Sequence, residues 1–87
     1  MEIAARAYTF SEDEPNRIES VTDNQGDSWQ VVGFGGNQHE YLVEHSSGRA
    51  AVFYFDRMSI VPLSEGAVYG RDHTVRDGRW AEHRPAL

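Results

Sequence analysis

The sequence predicts a mainly β protein, in which a small antiparallel meander closes into a barrel or a strongly curved sheet and a β-hairpin follows. Three observations support this prediction. The stretch 29–55 is rich in aromatic and β-branched residues. Glycine-bearing turns separate its strand-like runs. The dipeptide Asp77-Gly78, a strong hairpin signal, lies between two further runs. We expect one domain, 1–87, with at most one short helical turn.

The residues before the meander carry weaker signals. The opening stretch 1–10 has alanines that suit a helix, but its last residues favour a strand, and the sequence leaves both open. An acidic turn follows, in which Pro15 limits any helix to about one turn. Residues 17–23 alternate weakly and predict a strand with Ile18 and Val21 on opposite faces.

The central meander, 29–55, contains three predicted strands. Alternation in the middle strand places Tyr41 and Val43 on one face and Leu42 with two glutamates on the other, so we expect that second face to be largely solvent-exposed. The third strand, 50–55, is apolar on both faces. Such a strand sits in a barrel wall under another element or lies against a second copy of the chain.

After the meander comes a short apolar segment, Ile60 and Val61, which Pro62 ends. Proline cannot donate a hydrogen bond to a strand ladder, so this segment predicts an edge or terminal strand, or a 3₁₀ turn followed by one. We expect it to close the barrel.

The C-terminal segment, 67–83, predicts a hairpin with a two-residue turn at Asp77 and Gly78. The predicted register pairs Arg76 with Arg79, Val75 with Trp80, Thr74 with Ala81 and His73 with Glu82. An isolated hairpin is only marginally stable in water. We therefore expect Tyr69, Val75 and Trp80 to pack on the rest of the chain or on another chain.

The spacing of the central part resembles that of SH3-like barrels and of the small plasmid-borne dihydrofolate reductases. The shared pattern is a strand, a turn, Tyr-x-Val-Glu, a second turn and an apolar strand, here Tyr41, Val43 and Glu44 followed by 52–55. This resemblance implies an SH3-like barrel. The functional strand of the reductases has a polar Gln where this chain has Phe53, so we carry over no active site.

Composition narrows the function classes. Fourteen acids against eight arginines give a net charge of −6, which argues against direct binding to a nucleic-acid backbone. The absence of cysteine excludes disulfides, thiolate metal sites and a cysteine nucleophile. The chain shows neither a signal-peptide pattern nor an apolar run of about 18 residues. We expect a cytoplasmic protein that does not enter a membrane.

Motifs for chemistry are incomplete. The glycines within 33–36 lack the lysine and the following helix of phosphate-binding loops. The acidic turn at 23–28 lacks the glycine and the distant glutamate of a calcium loop. His39 and His45 lie at opposite ends of one predicted strand, too far apart to share a metal ion. We therefore predict no catalytic residue, no metal and no cofactor, and we favour a non-enzymatic role.

Aromatic and arginine residues concentrate in the third strand and the hairpin, and Trp, Tyr and Arg are the types enriched at interface hot spots. The candidate interaction surface comprises Phe53, Tyr54, Phe55, Tyr69, Arg76, Arg79 and Trp80. We predict a small acidic protein-interaction module that self-associates as a homodimer, in which Trp80→Ala weakens association more than folding. The alternative is that all these aromatic side chains fill one core.

Two other functions stay open. Residues 1–66 carry a net charge of −7, with Glu12, Asp13 and Glu14 forming an acidic surface. Such a surface suits an inhibitor that mimics nucleic acid, as small accessory proteins of phages and mobile elements do. The third possibility is a small-ligand binder or enzyme with its site at an oligomer interface, because side chains fill the interior of a barrel this small.

Overall fold

The computed structural model describes residues 2–35, 39–69 and 73–82. It contains nine strands: β1 (Ile3–Phe10), β2 (Ile18–Asp23), β3 (Ser28–Phe34), β4 (Glu40–His45), β5 (Ala50–Tyr54), β6 (Ser59–Pro62), β7 (Val68–Tyr69), β8 (His73–Arg76) and β9 (Arg79–Glu82). The first six strands form a closed antiparallel barrel, and the last three form a small sheet in the order β7-β8-β9. The predicted fold class is confirmed, and these described ranges contain no helix.

The ends of the barrel meet where β1 pairs with β6. Ile3 lies opposite Ile60, and Ala4 lies opposite Ser59. The opening stretch is therefore a strand, which settles the choice that the sequence left open. The segment ended by Pro62 closes the barrel, as predicted.

A β-bulge in β2 changes which of its side chains face the core. The pairing of β1 with β2 steps from Thr9–Ser20 to Phe10–Ile18, so Glu19 is the extra residue. A bulge breaks the strict alternation of faces. Ile18 and Val21 are consequently both buried in the same core, and the expectation that they lie on opposite faces is wrong.

Apolar side chains from all six strands fill the barrel interior. The buried core cluster consists of Ile18, Val21, Trp29, Val43, Ala51, Phe53 and Ile60. The indole N–H of Trp29 donates to Asp23 Oδ2 at 3.0 Å. Asp23 Oδ1 accepts the backbone N–H groups of Gln25 and Asp27, both at 2.9 Å. This buried carboxylate therefore joins the core to the turn between β2 and β3.

The C-terminal sheet covers the outer face of β4 and β5. Leu42 and Val52 are 0% exposed although neither belongs to the barrel core, and Val75 of β8 is 1% exposed. A Cβ atom at Gly33 would lie 2.9 Å from ring atoms of His73 and 3.3 Å from Leu42, so the sheet packs closely here. The expectation that the outer face of the middle strand is largely solvent-exposed is wrong, because this sheet buries Leu42.

The turn between β8 and β9 has the predicted form. Asp77 and Gly78 have φ values of 56° and 77°, both in the left-handed region that a type I′ turn requires. All four predicted residue pairs occur. The carboxylate of Glu65 accepts the N–H groups of Asp77 and Gly78 at 2.9 and 3.0 Å. The backbone N–H of Ala50 donates to the Gly78 carbonyl at 2.8 Å, so the hairpin is tied to the barrel, as expected.

Candidate functional site

The aromatic side chains form two groups with different surroundings. The first, the barrel-end group, lies where one end of the barrel interior meets solvent and comprises Tyr8, Phe10, Phe34, Tyr41 and Phe55. The second, the sheet group, lies between the barrel wall and the C-terminal sheet and comprises Tyr54, Tyr69, His73 and Trp80. Most of the interaction residues predicted from the sequence belong to the sheet group or to the barrel core.

Phe53 and Trp80 make contacts inside the chain. Phe53 is 0% exposed in the barrel core, so it cannot form part of a surface. Trp80 is half-buried, and its indole N–H donates to the carbonyls of Val43 at 2.8 Å and Ala51 at 3.3 Å. These two carbonyls belong to adjacent barrel strands. Trp80 therefore attaches the C-terminal sheet to the barrel wall.

Tyr54 and Tyr69 form a hydrogen-bonded pair between the barrel and the sheet. Their hydroxyl oxygens are 3.2 Å apart, and the ring of Tyr69 meets Trp80 edge-on with centroids 6.3 Å apart. The hydrogen bond with Tyr69, together with burial, raises the pKa of Tyr54 to about 12. The Tyr54 hydroxyl is therefore neutral at physiological pH.

The charged residues of the predicted surfaces are exposed but do not converge. Arg76 and Arg79 are exposed on the hairpin, and Arg79 lies against Gly48. The acidic residues 12–14 lie in the loop between β1 and β2. Ser11 Oγ accepts the backbone N–H groups of Asp13 at 3.3 Å and Glu14 at 3.4 Å. This acidic loop lies beside the barrel-end group.

Strand order brings the barrel-end group together. In an antiparallel barrel, the last residues of odd-numbered strands and the first residues of even-numbered strands meet at one end. Phe10 ends β1, Phe34 ends β3 and Tyr41 lies near the start of β4. Phe34 lies directly opposite Tyr41, and Tyr41 lies opposite Phe53.

The rings form one continuous row of contacts. Tyr8 touches Phe10 and Phe55, with centroids 5.4 and 5.3 Å apart. Phe55 also contacts the buried ring of Phe53, with centroids 6.4 Å apart. The Tyr41 ring contacts Phe53 on one side and Phe34 on the other, with centroid distances of 6.2 and 5.8 Å. The buried core thus extends to the surface through this row.

Three members of the row are unusually exposed. Phe10 is 51% exposed, Phe34 46% and Phe55 37%. Val32, two residues before Phe34, is 42% exposed at a bulge in β3, where the pairing steps from Val31–Val43 to Gly33–Leu42. Single exposed apolar residues are common, whereas several exposed aromatic rings at one end of a barrel are a candidate binding surface.

Two open grooves flank Phe34. One, of about 390 Å³, is lined by Glu14, Pro15, Asn16, Arg17, Phe34 and Tyr41. The other, of about 290 Å³, lies between the start of β2 and the end of β3. Arg17 and Phe34 line both grooves. The Cζ atom of Arg17 lies 4.6 Å from the centroid of the Phe34 ring, so this pair divides the two grooves.

Sequence reasoning included Phe55 but missed the other members of the barrel-end group. Tyr8, Phe10, Phe34 and Tyr41 looked like ordinary strand residues. The available signal was their position at strand ends, combined with the antiparallel order of the strands. Exposure of these rings could not be inferred, because it depends on where the C-terminal sheet packs.

At the other end of the barrel, His45 lies between an acid and a serine. Its Nε2 is 3.4 Å from Asp27 Oδ2, and its Nδ1 is 2.9 Å from Ser47 Oγ. The backbone N–H of Ser47 donates to the same Nδ1 at 3.1 Å, as in side-chain-capped turns. The His45 ring also packs on Trp29, with centroids 4.9 Å apart. We assign this arrangement to the turn between β4 and β5.

Residues 2–35, 39–69 and 73–82 contain neither a metal-binding cluster nor a membrane-spanning helix. No set of three or more His, Asp or Glu side chains in these ranges is placed to hold a metal ion. No helical segment in them has the length and apolar character needed to cross a membrane. No family model, curated protein or solved structure matches the chain. The exposed rings of the barrel-end group are the candidate functional site.

Proposed function

We propose that this chain is a small, acidic, non-enzymatic protein-interaction module that binds its partner through the barrel-end group. The supporting observation is the shared exposure of Phe10, Phe34 and Phe55, which are 51%, 46% and 37% exposed and belong to one row of touching rings. Aromatic side chains bury a large apolar area on binding at a low entropic cost. They are accordingly enriched where proteins meet.

A protein surface fits this site better than a small ligand does. Small-molecule sites enclose most of their ligand in a concave cavity. Here the exposed rings extend around the barrel end, and the two grooves beside Phe34 are open to solvent. A partner polypeptide can cover such a row by laying apolar side chains along it.

Self-association as a homodimer remains a prediction, but the two apolar faces of the third meander strand no longer support it. The third strand of the meander, β5, is apolar on both faces, and both faces are covered within the chain. Phe53 faces the barrel interior, whereas Val52 lies under the C-terminal sheet, and each is 0% exposed. A second copy is therefore not needed to cover this strand, and a net charge of −6 per chain opposes self-association at low salt.

Paired variants test the proposal. In Phe10→Ser/Phe34→Ser, two exposed rings of the barrel-end group are removed. Val68→Ser removes an exposed apolar side chain from the C-terminal sheet, where Val68 is 63% exposed. Native mass spectrometry gives the oligomeric state of each protein. Affinity capture from an extract of the source cells, followed by measurement of Kd with the purified partner, gives binding.

We expect the double variant to remain folded and to lose its partner, while the control keeps it. A wild-type dimer that dissociates only in the double variant would make a second copy the partner. Equal binding by the double variant and the wild type would contradict the proposal, because it would place the interaction elsewhere on the chain.

A further inference from the structure

We propose that the barrel end recognises an arginine side chain of its partner, which displaces Arg17 from the face of Phe34. This inference rests on the proposed function and specifies the chemistry of the partner. The occupant is a basic, partly apolar segment of another protein. Its guanidinium stacks on Phe34 and pairs with Glu14, and its apolar neighbours enter the two flanking grooves.

Arg17 already occupies the position that such a guanidinium would take. Its Cζ atom lies 4.6 Å from the Phe34 centroid, and its Nη1 donates to Glu14 Oε2 at 3.3 Å. A guanidinium above an aromatic ring is attracted to the partial negative charge on the face of the ring, which arises from the ring quadrupole. The chain itself thus shows that this ring and this carboxylate bind a guanidinium together.

The internal contact is weak enough to be exchanged. The side chains of Arg17 and Glu14 are 47% and 62% exposed, and ion pairs this exposed contribute little to stability because water screens them. Backbone hydrogen bonds fix this loop independently of the Arg17 side chain. The backbone N–H of Arg17 donates to the Glu14 carbonyl, and the backbone carbonyl of Arg17 accepts the N–H of Ser11. Arg17 can therefore leave Phe34 without unfolding the loop.

Two other arginines lie over rings in the described residues, and neither ring is available to a partner in the same way. Arg49 lies 5.3 Å from Trp29, which is 0% exposed, and Arg57 lies 4.5 Å from Tyr54, which is half-buried. Phe34 is 46% exposed and lines two grooves. The site beside Arg17 is thus the arginine–ring contact that an incoming side chain can reach.

Charge selects the partner. The loop beside the grooves carries Glu12, Asp13 and Glu14, and Glu19 lines the second groove. Displacing Arg17 removes the cation that pairs with Glu14, so a positively charged segment is favoured and an acidic one is repelled. A second copy of this chain, with a net charge of −6, is a poor match.

The test uses short fluorescent peptides and the full-length chain. The probe alternates arginine with leucine. Its matched control has citrulline, which keeps the shape of arginine without the charge. Fluorescence anisotropy gives Kd for the wild type and for Phe34→Ala, Arg17→Ala and Arg49→Ala. The last variant is the control for net charge, because it also removes one exposed arginine lying over a ring.

We expect the wild type to prefer the arginine peptide and Phe34→Ala to weaken its binding about tenfold. Arg17→Ala should tighten binding about two- to fivefold, since it removes the internal competitor. Arg49→Ala should change Kd by less than about twofold, because exposed charges far from the site are screened by salt.

Three results would overturn the inference. In the first, Arg17→Ala weakens binding or matches Arg49→Ala, which would show that Arg17 is not a competitor. In the second, the arginine peptide does not bind at all. In the third, the citrulline peptide binds as tightly as the arginine peptide while still requiring Phe34. This third result would contradict arginine recognition but would still agree with binding at the barrel-end group. The proposed function fails only if the Phe10→Ser/Phe34→Ser variant keeps its partner.

Discussion

The barrel-end group and the sheet group contain similar side chains in different surroundings. In the sheet group, the Trp80 indole donates to barrel carbonyls and the Tyr54 and Tyr69 hydroxyls pair with each other. In the barrel-end group, Phe10 and Phe34 expose about half of their surface. The difference arises because the C-terminal sheet covers one side of the barrel wall and leaves this end of the barrel open.

This contrast shows that an aromatic residue is an interaction candidate only where no other part of its own chain covers it. Residue type alone made Trp80 the better candidate, since Trp is the residue most enriched at hot spots. Packing reverses that ranking in favour of Phe34. Four substitutions test this contrast, and we expect Trp80→Ala to have the greatest effect on folding and Glu65→Gln the least.

Trp80→Ala should lower the free energy of unfolding by about 2 to 4 kcal/mol. It removes the half-buried ring and the indole donor that attach the sheet to the barrel. Binding at the barrel end should be unchanged in the folded protein, contrary to the expectation from the sequence. Urea denaturation and a binding assay measure the two effects. Trp80→Phe keeps a ring and loses only the indole donor, so it should lower the free energy of unfolding by about 1 kcal/mol. If Trp80→Ala instead weakens binding more than it lowers stability, Trp80 does not act by attaching the sheet to the barrel.

Asp23 ends β2, at the end of the barrel opposite the barrel-end group. Asp23→Asn should lower the free energy of unfolding by about 1 to 3 kcal/mol. Burial opposes ionisation of Asp23, but hydrogen bonds from Trp29 and the N–H groups of Asp27 and Gln25 outweigh it and hold the pKa of this carboxyl below its usual value.

The wild type therefore gains stability from ionised Asp23 above the pKa of the unfolded chain, about 3.9, and loses it as the pH falls through the lower folded pKa. Thermal melts between neutral and acidic pH should show a smaller difference between wild type and Asp23→Asn at the acidic limit. A difference that stays constant down to that limit would show that the charge of Asp23 does not contribute.

Phe34→Ala tests the open end. Because Phe34 is 46% exposed, its loss should lower the free energy of unfolding by less than about 1 kcal/mol, while partner binding weakens about tenfold. Calorimetry gives the first value and titration the second. If Phe34→Ala instead unfolds the chain, the ring is part of the core and the two groups do not differ in role.

Glu65→Gln should have the smallest effect, confined to the tip of the hairpin. Hydrogen bonds from the backbone N–H groups of Asp77 and Gly78 lower the pKa of Glu65. Protection of these two amides should therefore persist at neutral pH and decrease as the pH falls through this lowered pKa. Hydrogen exchange by NMR measures it, with Glu12→Gln as the control. Unchanged amide protection in Glu65→Gln would contradict a role for Glu65 in holding the tip.

Much of the fold could be predicted from local sequence signals. The Asp77-Gly78 dipeptide sets its own turn and register, because both positions need φ values that few other residue pairs adopt easily. Pro62 correctly marks the strand that closes the barrel. The two apolar faces of β5 also indicated correctly that the strand is covered on both sides.

What could not be predicted depends on contacts between distant elements. The bulge at Glu19, which brings Ile18 and Val21 to the same core, has no local signature such as a glycine. Burial of Leu42 follows from where the hairpin docks, not from its own strand. The barrel-end group is missed for the same reason, since its exposure is defined by what the C-terminal sheet leaves uncovered.

The most direct test of this contrast measures stability and binding side by side for Phe34→Ala and Trp80→Ala. The denaturation midpoint and the Kd for the partner, or for the arginine–leucine peptide, are determined on the same preparations. We expect opposite patterns: Phe34→Ala keeps its denaturation midpoint and loses affinity, whereas Trp80→Ala loses stability and keeps its affinity when folded. The reverse pattern would place the interaction surface on the C-terminal sheet and contradict the assignment of the barrel end.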